Sequence, residues 1–155
     1  MIRKGGDLMK DFFEEKIAED YEDFSFLENE LVVDKNENPV LVNNRELTFD
    51  DFLHGYCNVF ALRLKNEYGY ELCNILDENR NLIHSYCVTD AGEFVDIRGK
   101  TTDIKMFFEE FDDWLDSGYP FANPVSHEAY ELSNTEKEIY AHTQNIIDNY
   151  SFYGN

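Results

Sequence analysis

Apolar positions along the chain follow a helical period in some stretches and cluster into short strand-like runs in others. Leu8, Phe12, Phe13, Ile17 and Tyr21 recur at helical spacing, which predicts a helix inside residues 8–28 that leads into an acidic stretch. The runs ELVV and PVLV flank DKNEN, a turn-rich segment, and predict a hairpin centred near Asn36. Thr48 stands three residues before Asp51, a capping-box-like start for a short helix that Gly55 interrupts. The next run, CNVFALRLKNEYG, is apolar on most sides and predicts a buried helix from Cys57 that stops at Gly69. Three strand-like runs follow, YELCNIL, LIHSYCV and EFVDIR, joined by the turn segments DENRN and TDAG. Thr102 or Asp103 is placed to cap an acidic amphipathic helix, IKMFFEEFDDWLD, which Gly118 and Pro120 end. A Pro-containing loop, YPFANPV, leads to a last helix from about Asn134 to Tyr150. The expected fold is α+β. A small antiparallel sheet packs against the helix that begins at Cys57, acidic helices surround it, and residues 1–155 form a single domain.

Composition narrows the function classes. The 33 acidic residues against 13 Lys plus Arg give a formal net charge of −20. A sequence-independent nucleic-acid binder needs the opposite sign to displace counterions from phosphates, and so does docking on an anionic membrane. Disorder is excluded by a hydrophobic fraction of 43% and an aromatic fraction of 15%. No run approaches the about 18 apolar residues of a membrane span. Three cysteines without framework spacing and no apolar leader fit a reducing cytoplasm, of the chain's own cell or of a host.

The chemistry concentrates in residues 54–99. Cys57 follows Gly55 closely and opens the buried helix, where unpaired N–H groups and a partial positive charge favour a thiolate. The same amides can hold an oxyanion in acyl transfer. A nucleophilic thiol needs a base, and the base needs an orienting partner. His84 lies in LIHSYCV and Asp96 in EFVDIR, the next strand. If Asp90, Ala91 and Gly92 form a three-residue loop, Thr89 pairs with Glu93 and Tyr86 with Asp96. Asp96 then shares a face with His84, one diagonal step away. A loop one residue shorter turns Asp96 to the other face. Asp96 also reads as a simple partner of Arg98 or of a turn amide. Cys73 and Cys87 read as core.

The order Cys, His, Asp, placed on helix start, strand and next strand, resembles the papain-like cysteine enzymes in their transglutaminase-like branch. The matching runs are HGYCNVFALRL, IHSYCV and FVDIRG, under a third of the chain. The resemblance implies Cys57 as nucleophile, His84 as general base and acid, and Asp96 as the residue that orients the imidazole. The function it implies is cysteine-dependent acyl transfer (hydrolase, deamidase or transglutaminase type) on a protein or peptide.

Two other readings compete. His54-Gly-Tyr-Cys57 and His84-Ser-Tyr-Cys87 repeat H-x-x-C, and two His with two Cys can bind zinc tetrahedrally. In a strand, however, positions 84 and 87 face opposite ways, so no metal or other cofactor is expected. The second reading uses the charge. Only seven of the 33 acidic residues fall in 54–99. Glu109, Glu110, Asp112, Asp113 and Asp116 would form an outer stripe on the acidic helix, able to steer a basic protein partner. Size and charge resemble those of phage-encoded anti-CRISPR proteins and DNA-mimic inhibitors, which implies a non-enzymatic acidic inhibitor of a basic groove.

Overall fold

The structure, a computed structural model, describes residues 29–77, 79, 81–111, 122–124 and 131–154. The helix expected within residues 8–28 lies outside them. The turn near Asn36 forms where Asp34 Oδ1 accepts the Asn36 and Asn38 N–H groups at 2.8 and 3.0 Å. Val33 and Pro39 bridge across it. A regular hairpin follows, β1 (Leu41–Val42) against β2 (Arg45–Glu46). Its turn is Asn43–Asn44, both residues at positive φ, the arrangement of a two-residue I′ turn.

Thr48 and Asp51 meet as the spacing predicts, with the roles shifted. The Asp51 carboxylate accepts the Thr48 N–H at 2.8 Å and its hydroxyl at 3.2 Å. Helix α1 (Asp51–His54) is one turn long, and α2 (Cys57–Tyr68) starts after Gly55 and Tyr56. Cys57, Val59, Phe60, Ala61, Leu62 and Leu64 of α2 are buried. The helix stops at Gly69, whose φ of 75° is left-handed and whose N–H closes on Lys65 O at 2.9 Å.

Strands β3 (Glu71–Leu76), β4 (Leu82–Val88), β5 (Phe94–Asp96), β6 (Gly99–Thr101) and β7 (Ala122–Pro124) form one antiparallel sheet in the order β6-β5-β4-β3-β7. The architecture is α+β with a small antiparallel sheet. Two expectations are corrected here. The run EFVDIR is not one strand to residue 98: it ends at Asp96, turns through Ile97–Arg98 and returns as β6, with Asp96 opposite Gly99. The Asp96 carboxylate itself closes the turn by accepting the Arg98 N–H at 2.9 Å. Within YPFANPV, residues 122–124 are strand rather than loop and pair with β3. Pro124 is tolerated there because an edge strand has one unpaired side.

The sheet separates two packed layers. On one face the Cys87 thiol of β4 donates to Ala61 O in α2 at 3.2 Å. On the other, Tyr86 packs on Phe107 at 4.9 Å between centroids. Phe107 belongs to α3 (Ile104–Glu109), which Asp103 caps by accepting the Met106 N–H at 3.0 Å. Helix α4 (Asn134–Asn149) begins in a full capping box between Ser133 and Glu136 and buries Ile139, Thr143, Ile146 and Ile147. Arg63 ties α2 to it by donating to Thr143 Oγ1 at 2.9 Å and Tyr140 O at 3.0 Å. Among the described residues no helix is long and apolar enough to cross a membrane.

Candidate functional site

The loop between β4 and β5 decides the geometry. Thr89 N–H donates to Glu93 O at 2.9 Å, and Cys87 and Val88 pair with Val95 and Phe94. This is the register of the three-residue loop, so Asp96 falls on the side of His84. The two side chains hydrogen-bond, His84 Nε2 to Asp96 Oδ2, at 3.0 Å. Both are buried, at 0% and 2% exposure.

Cys57 joins them from a different element. Because β5 turns away after Asp96, the pairing between β4 and β5 ends before Ser85. The Ser85 N–H donates to Cys57 Sγ at 3.3 Å, where a continuing strand would place a carbonyl. The start of α2 thus fills a gap beside β4, where its thiol couples to the histidine of the opposite face. His84 Nδ1, the ring nitrogen not used by Asp96, is buried without a hydrogen bond of ordinary geometry among the described residues. Cys57 and His84 nevertheless act strongly on each other's charge.

Burial pushes the Cys57 thiol up, but His84 and the Ser85 and Asn58 backbone amides more than reverse this and hold it below the ordinary thiol value. Burial likewise pushes His84 down, yet Cys57 and Asp96 raise it to about 9. Asp96 is raised by burial and lowered further by Arg98 and His84, and ends well below the usual carboxylate range. Each direction favours the charged form of its group, thiolate at Cys57, imidazolium at His84 and carboxylate at Asp96, and the three are coupled.

The alternative pairing for Asp96 is also realised. Arg98, 3% exposed, donates through Nε to both Asp96 oxygens at 3.1 Å and through Nη2 to Oδ2 at 2.7 Å. Orienting His84 and pairing with Arg98 are one arrangement rather than rivals. Sequence reasoning left out two further features of the surroundings, the Ser85 amide and Phe111. The Phe111 ring stacks on His84 at 4.4 Å and 24° between planes. It also lines a cavity of about 490 Å³ with His54, Leu82 and Ile83 among the described residues. A cavity of that size accommodates several substrate groups, and its wall touches the imidazole through Phe111.

The remaining candidates are not brought together. His54 lies 3.4 Å from Glu110 and 3.8 Å from Asp50, while Cys87 faces α2. Among the described residues no group of three or more His, Cys, Asp or Glu is placed to hold a metal ion. Cys57, Cys73 and Cys87 are all free thiols. Glu109 and Glu110 are exposed at the end of α3, whereas Asp112, Asp113 and Asp116 lie outside the described residues. Comparison with models of known protein families, with curated proteins and with solved structures finds no match to this chain.

Proposed function

We propose that the protein is a cysteine-dependent acyl-transfer enzyme acting on a protein or peptide. The observation that carries this reading is the buried His84 imidazole, held on Nε2 by Asp96 at 3.0 Å and coupled to the Cys57 thiol at the start of α2. Cys57 Sγ attacks the substrate carbonyl carbon, forming an S–C bond while the oxygen takes the negative charge. No side chain caps the start of α2, the Val59 N–H is taken by Tyr56 O at 3.0 Å, and the Cys57 amide is the donor assigned to that oxyanion. His84 gives its proton to the leaving amine as the C–N bond breaks. Water or an acceptor amine then attacks the thioester, His84 takes its proton, and the S–C bond breaks to regenerate the thiolate. Asp96 keeps the imidazole oriented and stabilises its charged form. The net charge of −20 favours substrates with basic surfaces, and three free thiols favour a reducing cytoplasm.

The test is alkylation by iodoacetamide across pH, read at each cysteine by peptide mass spectrometry. Cys57 is expected to react fastest near neutral pH, with Cys73 and Cys87 slow in the folded protein. Equal and slow labelling of all three would overturn the proposal. The non-enzymatic acidic inhibitor is the second reading, and the charge favours it. It predicts partner binding that survives Cys57→Ala and weakens steeply with salt.

A further inference from the structure

We infer that Arg98 is a positioning residue for the proposed reaction: its guanidinium fixes the Asp96 carboxylate so that Oδ2 stays on His84 Nε2. The inference extends the acyl-transfer reading of Cys57, His84 and Asp96 and rests on it. A carboxylate on a short strand end can rotate and offer either oxygen. Here Oδ1 is held by the Arg98 N–H at 2.9 Å and by Nε at 3.1 Å. Oδ2 is held by Nη2 at 2.7 Å and by Nε at 3.1 Å, and in that orientation it meets His84 Nε2 at 3.0 Å. The fork is anchored in turn, because Nη2 also donates to Phe107 O at 3.2 Å. The guanidinium lies over the Phe107 and Phe111 rings at 4.8 and 5.5 Å. Phe111 is the ring stacked on His84, so Arg98 contacts the histidine's surroundings from two sides.

Charge gives the second half of the argument. Among the described residues the titratable groups that meet here are Cys57 from α2, His84 from β4, Asp96 from β5 and Arg98 from the turn after it. Helix α3 contributes the Phe107 carbonyl, and the Phe107 and Phe111 rings close that side. With thiolate and imidazolium formed, the four carry two negative and two positive charges in alternating order and sum to zero. Without Arg98 the buried set is left with net negative charge, which opposes forming a thiolate. A buried carboxylate freed of its cation takes up a proton more readily, and a protonated Asp96 no longer supports an imidazolium.

The experiment measures the pH dependence of Cys57 alkylation by iodoacetamide in the full-length chain and in R98M, R98K, D96N and D96N/R98M. For R98M the onset is expected to move to higher pH by about one unit, which lowers the rate near neutral pH about tenfold. R98K keeps the charge but not the planar fork and is expected to fall between R98M and the parent. In the D96N background R98M should add no shift, because Arg98 acts through the carboxylate. A profile for R98M that superimposes on the parent, or an equal shift in both backgrounds, overturns the inference. If R98M does not fold, as judged by its thermal transition, R98K decides, and an unshifted R98K profile overturns it. A parent protein whose Cys57 shows no enhanced reactivity would instead defeat the acyl-transfer reading itself.

Discussion

Cys57 and Cys87 make the same kind of contact, thiol to backbone across the α2–β4 seam, with opposite chemical sense. Cys57 Sγ accepts an N–H from Ser85 at 3.3 Å, whereas Cys87 Sγ donates to Ala61 O at 3.2 Å. Accepting favours a thiolate and donating favours a thiol. Burial penalises both, but only Cys57 ends below the ordinary thiol value, through His84. Cys87 is pushed up by burial and then by Cys73, and Cys73 itself rises to about 11, with burial the main cause. The difference traces to strand β5. Beside Cys87 it is paired through Val95, and beside Ser85 it has already turned away. Ending one strand at Asp96 both opens a place for the Cys57 thiol and delivers the carboxylate that holds His84.

The most severe way to test this contrast is to remove the carboxylate. Asp96→Ala removes the carboxylate that pairs with the buried Arg98 guanidinium and should cost about 3–5 kcal/mol in urea unfolding. Cys87→Ala removes one small buried group and should cost about 1 kcal/mol. Similar losses for the two would mean that the Asp96 end of the seam is no more interdependent than the Cys87 end. Next in size is His84→Ala, which removes the cation that favours the Cys57 thiolate. Its alkylation near neutral pH should fall at least about tenfold, while Cys73 and Cys87 react as before. A Cys57 rate that survives this change would locate its reactivity in the helix start alone.

These same residues divide what the sequence makes legible from what it hides. The period-2 pattern of LIHSYCV and the turn residues Asp90–Gly92 narrow the β4–β5 register to two choices, and only the observed pairing of Thr89 with Glu93 selects the one in which His84 meets Asp96. Gly69 marked the end of α2, and Ser133, three residues before Glu136, opens α4 where the pattern places it. Strand β6 was hidden because Ile97 and Arg98 look like strand continuation. Only the Asp96 carboxylate folding onto the Arg98 amide, with Gly99 following at a φ of 116°, reveals a turn. Strand β7 is hidden by Pro124, which local propensity reads as loop and an edge position tolerates. The Ser85 amide was beyond reach for a different reason. A mid-strand N–H that turns to a thiol is a consequence of where the neighbouring strand stops, and no side chain records it.

The smallest expected effect separates the two thiols by proton linkage. His84, raised to about 9, stabilises the fold fully below the unfolded imidazole value of about 6.5, and this is lost as pH rises through about 9. Cys57, lowered, contributes above the unfolded thiol value of about 8.5, and this is lost as pH falls through its folded value. The two must be counted as a pair. Between about pH 6.5 and 8.5 the unfolded pair holds one proton, as imidazole and thiol, and the folded pair also holds one wherever the pH lies above the lowered Cys57 value and below about 9. Stability there does not change with pH on their account. Below that window the unfolded chain binds the extra proton, above it the folded chain does, and stability falls on both sides. The Asp96 limb lies lower still, lost only as pH drops below the unfolded carboxylate value of about 3.9. In Cys57→Ala the imidazole is left between burial, which lowers it, and Asp96, which raises it, so the stability difference from the parent, from urea unfolding at a series of pH values, should be flat across the window. It should decline outside by no more than about 1.4 kcal/mol per pH unit. The same subtraction with Cys87→Ala should be flat from pH 5 to 8. If the Cys57→Ala difference were equally flat from pH 5 to 8, with no decline below about 6.5, Cys57 would be a neutral core thiol of the same kind as Cys87. The opening left by β5 would then be a packing feature without chemical consequence.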